Sequence, residues 1–527
     1  MDFSSLSDDQ SLTKQQVLLL FSQVEEKYQT QIDYLEEQNR LLRNELFGRR
    51  SEKGVEIDHN QLTLFTHTVE APETDQDPEP IAVSSHKRKK RGRKPLPEHL
   101  ERVDVVHDLS EQEKMCSCGH PMDRIGQDEC EKLDYIPAKV QVLRHIRLKY
   151  ACKHCEGVYD DGPTVRIAPV PAQLIPKSNA TAGLLAHLVT SKFADGLPLY
   201  RQQKIFARLD LDLSRSTMAN WAIQASIRCR PLIEFLRQDI RGGPMINVDE
   251  TTLQVLKEQG RRNTSKSYMW IYRGGDPERP SLVYQYHPSR SGQVAVDFIG
   301  SDYQGYVQSD AFSGYDRLEK YPGIVQLGCW AHVRRKFIDV IKVKKKIRSN
   351  LKNPRTLADE AVDYIRGLYR IEKHARHQEL SPEQIVELRQ TEARPILDKF
   401  KTWLESKKPI VPPKSLLGKA IDYALSNWDR LIVYIQDGRL KPDNNAAENA
   451  IRPFVIGRKN WLFAGNPRGA EASATFFSLI ETAKANGLEP YAYLRYLFET
   501  LPLIENEDEY RSLLPQYVDK DLINPPQ

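Results

Sequence analysis

Residues 244–255 read PMINVDETTLQV, and this run decides the fold. Ile246 and Val248 give an apolar strand pattern that leads into Asp249. Residues 305–312, GYVQSDAF, repeat the arrangement, with Tyr306 and Val307 leading into Asp310. Both runs read as short strands ending on an aspartate. Neighbouring strands lie about 5 Å apart, so two such aspartates can share one site. Unpaired carboxylates that close repel each other, and a divalent cation removes the conflict. Glu250 directly follows Asp249, and on an extended strand it faces the opposite way.

A third acidic residue completes the pattern. Residues 441–454 read KPDNNAAENAIRPF, where Asn444 or Asn445 can cap a helix and place Glu448 in its first turn. Asp443 and Glu481 are the competing carboxylates for the same role. Two strand aspartates and a helix glutamate offer the hard oxygen ligands that a pair of divalent ions needs. Such a pair clamps the attacking and leaving oxygens of a phosphoryl transfer. Outward from residue 244, the runs SYMWIYRGG, SLVYQYHPS and GIVQLGCWAH also read as strands, and AVDFIG and VRRKFIDVIKV as helices. This order fits a mixed-sheet α/β domain of ribonuclease-H-like type. Residues 346–440 are charged and helical in period, and read as an all-helical insertion before the core resumes over 441–485.

The chain has 527 residues, a net charge of +4, 40% hydrophobic and 28% charged residues. It is long enough for several cores, and no apolar run reaches the roughly 20 residues of a membrane span. Its polar, acidic start is no secretory signal. These features place it in the cytoplasm. Seven cysteines are too few for a disulfide scaffold. Four fall in two close pairs, Cys116 with Cys118 and Cys152 with Cys155, flanking a strand-like stretch. They suit a structural Zn²⁺ held by four thiolates, with His120, Cys130 or His154 as possible substitutes.

The remaining segments suggest how the chain meets its partners. Residues 1–50 carry Leu18, Phe21, Tyr28, Ile32, Leu35, Leu42 and Leu46 at coiled-coil spacing, with Asn39 at a core-type position. That pattern suits a homodimer or higher oligomer, or a single helix packing on its own chain. Residues 51–100 form an acidic, then basic linker. Its RGRKP includes Arg91 and Arg93 and suits a minor groove or any phosphate backbone. Residues 101–170 hold the cysteine module. Residues 171–238 read as helical, with Ser214 as an N-cap. They resemble a helix-turn-helix DNA-binding region, or else a connector docked on the core. Residues 239–345 form the first part of the core, and 486–527 read as a helical tail. Arg334, Arg335 and Lys336 form a basic cluster after His332. Cys329 reads as a buried small hydrophobe rather than a nucleophile.

Several runs together resemble one family. VDET, SDAFSGYD, GCWAHVRRKF, DNNAAENAIRPFVIGRKNWLF and SLIETAKANGLEPYAYL are similar to transposases of the insertion sequence 66 family. LFGRRSEK, EKLDYIPAKVQVLRHIRLKYAC and LPLYRQQKIFARLDLDLSRSTMANW extend the likeness over most of the chain. The resemblance implies a DDE transposase with Asp249, Asp310 and Glu448 as catalytic residues binding two Mg²⁺ or Mn²⁺ ions. It would act on double-stranded DNA, both element ends and target, in a nucleoid-associated setting, with accessory proteins of the same element. Many DDE enzymes carry a basic residue seven positions after the glutamate, whereas here Val455 stands there. Arg452 or Lys459 then takes the phosphate-positioning role, with Arg458 nearby.

Overall fold

The computed structural model describes residues 140–151, 165–167, 171–347 and 355–523, with scattered positions between 21 and 35. The chain divides into two compact units. One holds residues 50–170 with 526–527, and the other holds 1–49 with 171–525. In the smaller unit, β1 (Lys149–Ala151) pairs antiparallel with β2 (Val165–Ile167). Residues 140–148, before β1, are exposed and form no strand, so among the described residues of the strand-like run only 149–151 are strand. All four cysteines of the expected zinc site, with Arg91 and Arg93, lie outside the described residues. So does most of the expected coiled coil. Its Phe21, Tyr28, Ile32 and Leu35 are helical and exposed.

In the larger unit four helices precede the sheet: α1 (Ala182–Phe193), α2 (Leu199–Ala207), α3 (Arg215–Arg228) and α4 (Arg230–Gly242). Thr181 and Ser214 cap α1 and α3, each accepting a backbone N–H from three residues on. α1 packs on α13 (Pro490–Thr500), and α3 packs on α12 (Pro467–Ala485), so this region docks on the sheet domain.

The sheet has five strands in the order β5-β4-β3-β6-β7. β3 (Met245–Gln254), β4 (Lys266–Gly275) and β5 (Pro280–His287) form an antiparallel meander. After α5 (Gln293–Ile299), β6 (Gly305–Gln308) and β7 (Ile324–Leu327) add in parallel on the other side of β3. Alternation sends Ile246 and Val248 inward, both fully buried. Asp249 is not the end of its strand: β3 runs on to Gln254, held by β4 from Asn247 onward. On the β6 side, however, the ladder stops at Asn247 opposite Gln308.

α6 (Trp330–Ile347) opens the helical insertion as one continuous helix. The block therefore starts at Trp330, earlier than the charge pattern from 346 suggests. It continues with α7 (Leu357–His377), α8 (Pro382–Leu388), α9 (Arg394–Lys407) and α10 (Leu416–Ser426). Its core is aromatic: Trp330 meets Trp428 edge-on at 5.8 Å, and Tyr364 stacks on Phe400 at 5.0 Å. α11 (Asn445–Trp461) returns the chain to the sheet. In the C-terminal segment, Leu494, Leu497, Phe498, Leu514 and Val518 are buried in the core of the sheet domain.

Candidate active site

Asp249 lies in mid-β3, Asp310 two residues past β6, and Glu448 in the first turn of α11. The three act on one another electrostatically. The Asp249 carboxyl is pushed up to about 8, chiefly by burial and then by the charge of Glu250. The charges of Asp310 and Glu448 push the same way, while the Glu250 N–H donating to Asp249 Oδ1 at 2.8 Å opposes them. Asp443 is occupied otherwise, accepting the Asn445 N–H at 3.2 Å. Glu481 pairs with Lys484 at 3.0 Å on α12.

A buried amide cluster joins the elements that carry these acids. Asn247 Nδ2 donates to Gln308 Oε1 and to Asn444 Oδ1, both at 2.9 Å. Asn444 Nδ2 donates to the Val248 carbonyl at 2.9 Å, just beyond the last residue of β3 that pairs with β6. Gln308 Nε2 donates to the carbonyls of Lys441 at 2.9 Å and Gly328 at 3.3 Å. Asn444 holds the N-cap position of α11, yet its side chain makes no cap bond. The fold forgoes a cap worth about 1 kcal/mol and uses the amide to tie helix to strands.

Glu250 faces the other side of the sheet. Arg290 Nε donates to it at 2.6 Å, and the Tyr315 hydroxyl donates to its second oxygen. The Arg290 guanidinium lies 3.8 Å from the centre of the Phe312 ring. The Phe312 N–H in turn donates to Asp310 Oδ1 at 3.0 Å. Glu250 thus anchors the loop that presents Asp310.

Around Glu448, Arg335 Nη2 donates at 3.0 Å and His332 Nε2 lies 3.6 Å away. Burial pushes the His332 imidazole down, while the Glu448 charge opposes this. Cys329, His332 and Glu448 each offer one ligand atom within 4.8 Å of the others. Burial pushes the Cys329 thiol up to about 12, and its Sγ accepts the Asn444 N–H at 3.2 Å. Cys329 is therefore a neutral acceptor at the root of α11.

The expected phosphate-binding residues divide into groups. Arg335 is engaged with Glu448, and Arg334 is partly buried on α6. Arg458 Nη1 donates to the hydroxyls of Thr251 and Thr252 at 3.2 Å, so it fastens α11 to β3. Arg452 and Lys459 are exposed on α11, four and eleven residues after Glu448. The amides Asn247 and Gln308 did not stand out in the sequence reading. A signal was present: each sits two residues before its aspartate.

The family model described as Transposase IS66 family matches residues 177–472, more than half of the chain. The chain belongs to the IS66 transposase family. Three further models cover other parts: the zinc-finger binding domain of transposase IS66 matches 113–156, which contains all four paired cysteines, and the IS66 C-terminal element matches 478–516. The model described as Transposase C of IS166 homeodomain matches 34–105. Among curated proteins, the uncharacterized protein y4jD of Sinorhizobium fredii is 34% identical, with 87% of this chain and 89% of that protein covered. The uncharacterized protein y4qI of the same organism is 32% identical over 92% of this chain and 88% of its own.

Proposed function

We propose that this transposase binds the ends of its element and performs metal-dependent DNA strand cleavage and strand transfer through Asp249, Asp310 and Glu448. The observation that carries this reading is the placement of the three acids: Asp249 on the central strand, Asp310 just past its parallel neighbour, and Glu448 in the first turn of α11, whose root Asn444 ties to β3. Such a group of hard oxygens suits Mg²⁺ or Mn²⁺. Bound there, two such ions would activate the attacking oxygen and stabilise the leaving one in an in-line displacement. The sheet order supports a ribonuclease-H-like core, with Asp249 on the central strand and Asp310 after its parallel neighbour.

The chain's own residues do the positioning. Asp249 and Asp310 hold their carboxylates on the sheet, and α11 brings in Glu448. Exposed Arg452 and Lys459 on the same helix suit the phosphates flanking the reacting bond. Cys116, Cys118, Cys152 and Cys155 supply a donor set suited to structural Zn²⁺, inside the matched zinc-finger segment. The exposed Phe21, Tyr28, Ile32 and Leu35 suit pairing with a second copy, which would bring two element ends together. Among the described residues no helix is long and apolar enough to cross a membrane. DNA as substrate places the protein in the cytoplasm, at the nucleoid.

The test uses purified full-length protein, labelled element-end DNA, a target plasmid and Mg²⁺ or Mn²⁺. The expected result is strand-joined product that disappears in Asp310→Asn. Cleavage without joining would instead indicate a nuclease, and binding unaccompanied by any cleavage would indicate a DNA-binding regulator.

A further inference from the structure

We infer that Asn247, Gln308 and Asn444 are positioning residues that fix the separation of the three carboxylates by tying the root of α11 to β3 and β6. The inference rests on the triad reading above.

Each amide is nearly inaccessible, at 5%, 0% and 1% exposure. Each sits at a fixed short offset from one acid: Asn247 two residues before Asp249, Gln308 two before Asp310, Asn444 four before Glu448. A strand repeats its face every two residues, so Asn247 and Asp249 share one face of β3, while Gln308 ends β6 just before the Asp310 loop and Asn444 holds the N-cap position of the turn that carries Glu448. The hydrogen bonds form a single cluster, Gln308 to Asn247 to Asn444 to the Val248 carbonyl. Gln308 also holds Gly328 and Lys441, which stand where the chain leaves for the helical insertion and where it returns.

Neutral amides suit this place. They supply both donors and acceptors, so the buried backbone carbonyls are satisfied, and they add no charge beside acids that already repel. Carboxylates at these positions would deepen the repulsion, and apolar side chains would leave the Val248 and Lys441 carbonyls without these donors. The absent cap bond at Asn444 gives the second, independent indication. A residue present only to start the helix would turn its side chain to the helix N–H groups, whereas this one turns to β3.

The discriminating variant is Asn444→Ser. Serine caps a helix well but is too short to bridge to Val248 and Asn247. Mn²⁺ binding to the full-length protein is measured by electron paramagnetic resonance of the free ion. Cleavage of element-end DNA is followed in Mg²⁺ and in Mn²⁺. The expected result is a loss of Mn²⁺ affinity of about 10–100-fold. Cleavage kcat in Mg²⁺ falls about a hundredfold with KM for DNA little changed, and Mn²⁺ restores part of it. A purely structural defect would lower the active fraction equally in both metals and leave their ratio unchanged. Wild-type affinity and an unchanged Mg²⁺-to-Mn²⁺ ratio would overturn the inference. Should Asn444→Ser fail to fold, Gln308→Met keeps the volume, removes the bonds to Gly328 and Lys441, and is read the same way. Asp249→Asn separates the two levels. If it leaves Mn²⁺ binding and cleavage intact, the triad reading fails. If it abolishes both while the amide variants behave as wild type, only the positioning role fails.

Discussion

The two edges of the sheet are finished in different ways. At the β5 edge a single helix stands in for a missing strand. Ser478 Oγ on α12 accepts the Tyr284 N–H at 2.8 Å, and Thr482 Oγ1 accepts the Leu282 N–H at 3.0 Å while donating to the Leu282 carbonyl at 3.1 Å. Asn486 Nδ2 donates to the Pro280 carbonyl at 3.0 Å. At the β7 side, the chain beyond the strand is held by the returning end of the helical insertion. The Gly328 N–H donates to the Arg430 carbonyl, the Trp330 N–H to Pro442, and Trp330 Nε1 to Leu431, at 2.9–3.0 Å. The first edge is closed locally and carries none of the three acids of the proposed triad. The second is closed through a block of helices, and that same return path delivers Glu448. A sheet edge needs covering in either case, but only the second covering leads into the helix that carries Glu448 of the proposed triad.

The largest effect that would sharpen this contrast lies in the insertion. Arg389 is 2% exposed and pairs with Glu372 at 2.7 Å. It also donates to the carbonyls of Tyr434, Asp437 and Leu440, which form the return path. Arg389→Met should destabilise the protein by about 3–5 kcal/mol, because it leaves the partly buried Glu372 unpaired and three carbonyls of the return path without their donor. Adding Glu372→Met should recover part of the loss. Denaturant unfolding followed by tryptophan fluorescence measures both. Mn²⁺ affinity should fall with Arg389→Met in protein that remains folded. A full loss of stability with no change in affinity would break the link between this edge and the site.

At the other edge, Ser478→Ala should cost about 1–3 kcal/mol by leaving the Tyr284 N–H unsatisfied. Hydrogen exchange at the Tyr284 amide should quicken, while Mn²⁺ affinity stays at the wild-type level. A loss of affinity here as large as that of Arg389→Met would erase the contrast.

The same contrast explains what could be read in the sequence. The β3 and β6 runs show a period of two around Asp249 and Asp310, so strands and acids were legible together. Glu448 was legible as a capped-helix carboxylate. The bridging role of Asn444 was not: it reads as a helix cap, yet its amide is claimed by Asn247 and Val248, residues almost two hundred positions away. The start of the insertion was also hidden. Residues 330–345 have a basic texture like that of a core surface helix, yet Trp330, Val333 and Phe337 pack into the core of the insertion. Arg389 lies in a stretch whose sequence reads only as charged and helical in period. Only the fold shows it buried among three carbonyls. Local periodicity reveals elements, while polar groups whose partners are distant stay silent in a linear reading.

The smallest effect tests whether α12 holds its edge by hydroxyls alone. Burial raises the Glu481 carboxyl, with Lys484 pulling the other way. A carboxyl raised in the folded state favours folding least where the unfolded chain is ionised. Glu481 should therefore cost nothing below its ordinary range near pH 4, and its cost should grow as pH rises through the folded value. Glu481→Gln removes that charge. It should match wild type near pH 4 and exceed it in stability at pH 8, where the unfolded chain is ionised and the buried carboxyl is costly. Thermal unfolding at the two pH values measures the difference. Cleavage of element-end DNA should be unchanged, since Glu481 is paired on α12 and lies outside the proposed triad. A loss of cleavage without a loss of stability would move the third carboxylate from Glu448 to Glu481, and with it the chemistry from the β7 side of the sheet to the β5 side.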